Sequence, residues 1–487
     1  MSAAGPVEGA IHELSAVAMA AAIGAGRLSS REALEHLVAR VDRLDGPINS
    51  VVTRDLDRAR RAAAAADAAV ARGDTLGPLH GVPITIKDSF STAGMTTTSG
   101  APELADHVPE EDAWPVAALR RAGAVIWAKT NLPIYAGDMQ SYNEVFATTS
   151  NPWDTERTPG GSSGGAAAAL AARFTPLELG SDIGGSIRLP AHMSGVLGHK
   201  PSYGIVPAHG QIPGPPGSLT QADLAVAGPM ARTVEDLTLA LGLMSGPDRW
   251  NAPAWRLELP PPRQRELTRF RVATWFDDPS CVLDPEVGEV LHGFAERLAQ
   301  AGVRVAGEAR PGFDLTKAAE RFFALLNAAL AGGYGVGEIE QFATAAGDSP
   351  VAITKRNTAM RHRQWLSHNE GRMQLRRRFE TFFADHDVLL MPVMPCVAFA
   401  HDHRQPLSAR VVTTQAGPRP YWELNRWMAP AGACYLPATV IPVGLAASGL
   451  PVGVQIVGPY LHDATTLAFA AAATELVGPC PTPTGFA

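Results

Sequence analysis

Two short glycine-rich stretches carry the residues whose types and spacing could do chemistry. Residues 160–165 hold Ser162 and Ser163, and residues 180–188 hold Ser186. Glycine lets a chain turn sharply and come close to a ligand, and successive N–H groups in such a turn converge on an anionic oxygen. A serine hydroxyl beside convergent amide donors supplies a nucleophile and an oxyanion site, which acyl transfer requires. The part still needed is a base.

Lys87 is the best candidate for that base. It ends an otherwise uncharged predicted strand over residues 82–86, directly before a turn. Burial disfavours an ammonium ion, so the pKa of a lysine in such a strand should fall well below the free value of about 10.4. The neutral amine could then accept a proton from a serine. The alternative is an exposed lysine paired with Asp88, and the strand alone favours that alternative because most lysines lie at the surface.

Four longer segments favour the buried base over the exposed lysine. They are "GVPITIKD" at 81–88, "TPGGSSGG" at 158–165, "LGSDIGGSIRLPA" at 179–191 and "GHKPSYG" at 198–204. Together with the order and spacing of Lys87, Ser162 and Ser186, they resemble the amidase signature family of serine hydrolases. The C-terminal segment 436–458 looks like the closing strands of that family. The resemblance therefore covers most of the chain.

The resemblance implies a role for each residue. Ser186 would be the nucleophile, and Ser162, preceded by a cis peptide bond from Gly161, would connect it to neutral Lys87. The backbone N–H groups expected to form the oxyanion hole belong to Ile183, Gly184, Gly185 and Ser186. Supporting roles fall to Ser163, Asp182 and Arg188. Arg188 could bind a substrate carboxylate, but a pair with Asp182 that fixes the loop is the favoured interpretation.

A competing motif is present but lacks its structural context. Residues 160–164 satisfy G-x-S-x-G, the nucleophile elbow of α/β-hydrolases. That elbow needs a buried strand directly before it, whereas residues 151–157 are polar and not strand-like. The same stretch is not a phosphate loop, since no Gly-Lys-Ser/Thr follows.

Composition excludes several classes of protein. The net charge of −7 and the pI near 6.1 give no electrostatic footprint for nucleic acid or an anionic membrane. None of the four cysteines forms a C-x-x-C pair, so we predict no metal site and no cofactor, and a reducing cytoplasm as the compartment. The uncharged stretch 436–458 is broken by prolines and glycines into strands at 439–443 and 452–457, so no membrane span is expected.

Apolar strands alternate with helices along the chain, which predicts an α/β fold with a large mixed β-sheet core covered by helices on both faces. A capping box at Ser29 and Glu32 begins a helix that ends near Leu44. The remaining predicted helices are 55–71, 116–122, 166–173, 236–244, 285–301, 318–331 and 360–385. We expect one domain over 1–487, with an N-terminal helical segment (1–72) and a helix-rich excursion (about 245–385) that shapes the substrate pocket.

Two polar residues lie in segments predicted to be buried. Glu178, a charge within an apolar strand, should have a basic partner, and His199 should be a core residue.

Flanking segments should determine the substrate. The predicted pocket residues are Tyr135, Met139, Gln140, Gln211, Ile212, Phe322 and Trp427, with a rim over 211–216. Residues 322–326, 421–422 and 427–428 could supply apolar cover. Apolar walls favour hydrophobic or aryl amides, with esters, carbamates or urethanes and nylon-type oligomers as further candidates. One alternative is the glutamine-amidohydrolase subunit of a tRNA-dependent amidotransferase. A second, a non-catalytic binding protein, is disfavoured by the retention of Lys87, Ser162 and Ser186. The partner expected is a small amide or carbamate, and the protein a monomer or homodimer.

Overall fold

A computed structural model describes residues 10–212 and 216–486. The middle of the predicted rim, residues 213–215, lies outside the described residues. Fifteen strands lie within the described ranges: β1 Val51–Arg54, β2 Pro83–Lys87, β3 Val125–Thr130, β4 Tyr142–Asn143, β5 Ala147–Thr148, β6 Leu177–Asp182, β7 Leu197–Lys200, β8 Val226–Ala231, β9 Arg271–Thr274, β10 Arg304–Ala306, β11 Val388–Pro392, β12 Val411–Thr414, β13 Gly417–Pro420, β14 Ala438–Leu445 and β15 Pro451–Val457.

Eleven of these strands form one mixed sheet, in the order β1-β3-β2-β6-β8-β7-β14-β15-β11-β9-β10. β2 pairs in parallel with both β3 and β6, whereas β8, β7, β14 and β15 continue antiparallel. Every residue of β2, β3, β6 and β8 is buried. Since side chains alternate between the faces of a strand, both faces of the sheet are covered. The predicted fold class is confirmed.

The helices in the described ranges surround this sheet. They are α1 Ala16–Gly24, α2 Ser30–Leu44, α3 Leu56–Arg72, α4 Trp114–Arg121, α5 Gly164–Ala171, α6 Arg188–Ser194, α7 Val234–Met244, α8 Pro285–Gln300, α9 Leu315–Ala329, α10 Val336–Ala343, α11 Pro350–Thr358, α12 His362–Asp385, α13 Ala429–Ala433 and α14 Asp463–Val477. The predicted capping box begins α2, with Ser29 accepting from the Glu32 N–H at 3.0 Å and Glu32 accepting from the Ser29 N–H at 2.8 Å.

The uncharged stretch near the C-terminus folds as predicted, into two buried antiparallel strands. β14 and β15 are neighbours over Ala438 to Val457 in the centre of the sheet. Across residues 10–212 and 216–486, no helix combines the length and hydropathy that crossing a bilayer requires.

Candidate active site

Lys87 lies at the end of β2, and its side chain is fully buried. Its Nζ donates to the Oγ atoms of Ser162 at 2.7 Å, Ser163 at 3.0 Å and Ser181 at 3.0 Å. Burial lowers the Lys87 pKa to about 7, against the opposing effect of Asp182, so a large share of the amine is neutral near pH 7.

The alternative, an exposed Lys87 paired with Asp88, is wrong. Asp88 is also fully buried, and one carboxylate oxygen accepts hydrogen bonds from the N–H and hydroxyl of Thr98. The cation near its other oxygen is Lys129, at 4.0 Å. Lys87 and Asp88 therefore have separate sets of partners, although they are neighbours in sequence.

The segment that carries Ser162 is packed tightly against its neighbours. The Gly161–Ser162 peptide bond is cis, as the family resemblance implied. A Cβ on Gly161 would lie 2.7 Å from the carbonyl oxygen of Asp138, so only glycine fits there. The N–H of Ser163 donates to the carbonyl of Ser186 at 3.2 Å, which joins this segment to the second glycine-rich loop.

Asp182 and Arg188 fix the second loop from inside. Both side chains are fully buried, and the guanidinium donates to the two carboxylate oxygens at 2.9 and 3.0 Å. Burial would raise the Asp182 pKa, but the charge and hydrogen bonds of Arg188 outweigh it and lower the value to about 2. Arg188 also donates to the carbonyl of Met428 and to Gln455. Its donors are therefore engaged within the protein, in agreement with the pairing interpretation.

The expected oxyanion donors divide into two groups. The Gly185 N–H donates to Asp182 Oδ1 at 2.9 Å and so helps to hold the loop, and its role as an oxyanion donor stays a prediction. The N–H groups of Ile183, Gly184 and Ser186 donate to no acceptor within the described part of the chain. Gly185 is required for another reason, since its φ is +114° and a Cβ would lie 2.8 Å from Met428 Cγ.

The side chains around this loop are uncharged. A Cβ on Gly184 would lie 3.8 Å from Leu326 Cδ2 and 3.9 Å from Asn425 Nδ2, and one on Gly185 would lie 2.9 Å from Leu189 Cγ. Asn425 is 2% exposed, and its Oδ1 has no hydrogen-bond partner among the described residues. Leu326 and Met428 belong to segments that the sequence predicted as apolar cover of the pocket, whereas Asn425 was not predicted.

Several predicted pocket residues have other contacts. The Tyr135 hydroxyl donates to exposed Glu103, which places it at the surface. Met139 is buried in the core. Gln140 holds residue 402 through two hydrogen bonds, at 2.7 and 3.0 Å. Gln211 bridges to Phe90, and the N–H of buried Ile212 donates to the carbonyl of Ser89 at 2.7 Å.

Phe322 and Trp427 are fully buried in the core, and neighbours of each contact the loop in their place. Phe322 packs against Gly432, whereas Trp427 Nε1 donates to the carbonyl of Cys281 at 3.2 Å. Leu326, one helical turn beyond Phe322, and Met428, directly after Trp427, are the residues nearest the loop. Within the two segments predicted as apolar cover, Leu326 and Met428 lie closer to the loop than Phe322 and Trp427.

The two polar residues singled out in the core also have partners. His199 is fully buried, and its nitrogens lie 2.9 Å from Thr439 Oγ1 and 3.1 Å from Asp463 Oδ1, as a core histidine requires. Glu178 does not have the predicted paired cation within the described ranges. Thr85 and Thr130 face it, and Lys129 acts on it through charge at longer range.

Comparisons with known proteins identify the family and the fold. The family model for amidases matches residues 32–467. A glutamyl-tRNA(Gln) amidotransferase subunit from Moorella thermoacetica is 33% identical over 464 residues, which cover 90% of this chain and 92% of that protein. A bacterial aryl acylamidase of the amidase signature family superposes with a TM-score of 0.81 at 23% identity, over 96% of each chain. 6-Aminohexanoate cyclic dimer hydrolase, solved with its substrate, superposes with a TM-score of 0.76 at 25% identity, over 97% of this chain and 98% of that chain. The chain with this buried lysine and its neighbouring serine loops therefore belongs to the amidase signature family.

Proposed function

We propose that the protein hydrolyses C–N bonds of amides through a serine acyl-enzyme, with Ser186 as nucleophile, Ser162 as proton carrier and Lys87 as base. The observation that carries the proposal is the 2.7 Å separation between the fully buried Lys87 Nζ and Ser162 Oγ, across which the hydroxyl can donate to the amine when Lys87 is neutral. The neutral fraction of Lys87 can perform the base role that histidine performs in other serine hydrolases.

Acylation follows from this arrangement. The Ser186 hydroxyl attacks the amide carbonyl while its proton passes to Ser162, whose own proton passes to the Lys87 amine. The N–H groups of Ile183, Gly184 and Ser186 donate to the oxyanion that forms. Collapse of the tetrahedral intermediate breaks the C–N bond, and the proton returns through Ser162 to the leaving amine. Water, deprotonated by the same route, then hydrolyses the acyl-enzyme.

The side chains at the loop favour an uncharged acyl group. Leu189, Leu326 and Met428 are apolar, and Asn425 is neutral but polar. A charged substrate group buried against them would lack a counter-ion, which is costly. Hydrophobic or aryl amides are therefore the substrate class that this geometry supports, with esters and carbamates as chemically related alternatives.

A second candidate is favoured by the comparisons. The curated relative from Moorella thermoacetica belongs to a glutamyl-tRNA(Gln) amidotransferase, and it aligns over almost its whole length. On this interpretation the same three residues release ammonia from glutamine, and the chain works with other subunits. Glutamine carries an α-ammonium and an α-carboxylate, so it requires charged partners beyond the four side chains described above.

One set of assays tests both candidates. The purified chain is incubated with an acyl para-nitroanilide, a neutral aliphatic amide, an aryl carbamate and L-glutamine, and Ser186→Ala serves as the control. Turnover of the neutral amides supports the first candidate. Turnover of glutamine alone, or only after addition of partner subunits, would replace it with the second. A fluorophosphonate that fails to label Ser186 in folded protein would exclude both candidates and favour a binding protein.

A further inference from the structure

Glu178 is a buried carboxyl for which the mechanism above has no use. It lies on β6, and only 1% of the residue is exposed. Its Oε2 accepts from the N–H of Leu179 at 3.0 Å. Its Oε1, like the hydroxyls of Thr85 and Thr130 that face it, has no hydrogen bond of normal geometry within the described ranges. Burying a carboxyl with so few partners is costly, so its presence in the core requires an explanation.

The strand register places Glu178 on the Lys87 side of the sheet. Glu178 pairs with Thr85 on β2, and Lys87 pairs with Thr130 on β3. Residues two apart on a strand share a face, so Thr85 and Lys87 point the same way. The carboxyl and the amine therefore rise from the same face of adjacent strands.

The other charged groups near Lys87 are held by partners of their own. Asp182, further along β6, holds Arg188 of α6, and Asp88, directly after β2, faces Lys129 of β3. α5 and β8, which pack against β6, carry no titratable side chain. Glu178 thus differs from these carboxylates in having no cation within ion-pairing distance among the described residues.

We propose that Glu178 is a positioning residue that controls the protonation of Lys87 and thereby sets the lower pH limit of the reaction. The inference rests on the proposed role of Lys87 as base. An ionised Glu178 stabilises the ammonium form of Lys87, which cannot accept a proton, whereas a neutral Glu178 does not. The charges of Asp182 and, more weakly, of Glu178 both favour the ammonium form of Lys87. The pKa of Asp182 is about 2, so its carboxylate stays ionised over the whole range, whereas burial raises the Glu178 pKa to about 7, where Lys87 itself titrates. Removing the carboxylate should therefore extend activity to lower pH.

The protein offers a direct measurement, because its five lysines are Lys87, Lys129, Lys200, Lys317 and Lys355. Labelling with [13Cε]lysine gives one NMR signal for each, and the Lys87 signal is the one absent from Lys87→Met. We expect Glu178→Gln to lower the midpoint of the Lys87 titration by roughly one pH unit. Superimposable titrations of the wild type and Glu178→Gln would overturn the proposal.

A matched control separates Glu178 from buried charge in general. Asp88→Asn removes another fully buried carboxylate, one residue from Lys87 in sequence, and should leave the Lys87 midpoint unchanged. An equal shift in Asp88→Asn would overturn the assignment to Glu178. If Glu178→Gln does not fold, Glu178→Leu removes the same charge with an apolar side chain and receives the same titration.

A second readout ties the shift to the reaction and keeps the two proposals distinct. The rate of fluorophosphonate labelling at Ser186 is measured against pH in the wild type and Glu178→Gln. We expect the acidic limb of the labelling-rate profile of Glu178→Gln to lie roughly one pH unit lower than that of the wild type. Well below the midpoint, Glu178→Gln should therefore be labelled about tenfold faster than the wild type. Failure of the wild type to label would contradict the proposed function, whereas labelling with an unmoved limb would contradict the role of Glu178 alone.

Discussion

The carboxylate of Asp182 holds the guanidinium of Arg188 in a fully buried, two-pronged pair, and the same carboxylate accepts the N–H of Gly185. One side chain thus fixes both ends of the loop that carries Ser186. The N–H groups of Ile183, Gly184 and Ser186 have no acceptor within the described ranges, whereas the Gly185 N–H is used to hold the loop. The Asp182–Arg188 pair is therefore a structural part of the site.

Replacing Arg188 by lysine should destabilise the protein and lower its activity together. A lysine cannot reproduce the two-pronged contact, and Asp182 would keep a buried, poorly compensated charge. We expect the free energy of unfolding to fall by about 3 kcal/mol, measured by denaturant titration. Arg271→Lys, which weakens the Arg271–Asp387 pair near the far edge of the sheet, should lower stability without affecting the labelling of Ser186. Wild-type stability in Arg188→Lys, with loss of turnover only for carboxylate-bearing substrates, would assign Arg188 to substrate binding.

The pH dependence of turnover should follow Lys87. Burial lowers its pKa to about 7, and the neutral amine that acts as base exists above this value. The rate at limiting substrate should therefore rise with pH through about 7 and level off above it, which a series of kcat/KM measurements checks. Lys87→Met should lack this rise and lose at least about 1,000-fold in rate, as expected when the base of a serine nucleophile is removed. A profile that falls as pH rises through 7 would exclude a neutral amine as the base.

The sequence predicted the family and the residues around Lys87 better than the walls of the site. Lys87 was identifiable because its strand is otherwise uncharged and because its spacing from Ser162 along the sequence matches a family pattern. Which N–H group Asp182 would take was not predictable, because four successive N–H groups look alike in sequence. Leu326, Asn425 and Met428 reach the loop from α9 and from the segment before α13. Such contacts depend on tertiary packing, which local patterns do not encode.

Two helices, α14 and α10, were not predicted because their local sequence patterns do not mark them. α14 is rich in alanine and buries polar as well as apolar residues, so it lacks the one-sided apolar pattern that marks a surface helix. α10 has the opposite character, with no buried residue, and its sequence offers a glycine in place of a side-chain cap. β14 and β15 were predictable because runs of β-branched residues lie between turn residues. β7 and β8, at the centre of the sheet, have no such run and were not predicted.

Gly185 and Gly184 should respond differently to alanine. At Gly185 a Cβ would clash with Met428 and Leu189, and the positive φ adds strain. We expect Gly185→Ala to reduce kcat by about 100-fold, as when an oxyanion donor is misplaced. Gly184→Ala meets only ordinary contacts at 3.8 and 3.9 Å and keeps its N–H, so its loss should be clearly smaller for a short acyl group. The two variants, compared by burst kinetics with matched melting temperatures, should rank in this order, and the reverse order would contradict the loop geometry.

Leu326 should determine the size of the acyl group that the site accepts. It is 7% exposed, and its Cδ2 lies beside the loop that carries Ser186, 3.8 Å from a Cβ placed on Gly184. Leu326→Ala opens space there, and a methylene contact in an apolar pocket is worth about 1–3 kcal/mol. The ratio of kcat/KM for a bulky aryl amide to that for acetamide should therefore rise by roughly tenfold or more.

Leu330, four residues further along and 42% exposed, provides the matched control. Leu330→Ala makes the same chemical change on a surface position and should leave the ratio of the two kcat/KM values unchanged. Because a ratio is measured, any general loss of folded protein cancels between the two substrates. An unchanged ratio in Leu326→Ala, or an equal change in Leu330→Ala, would show that the acyl group lies elsewhere and would remove the main support for an uncharged, apolar acyl site.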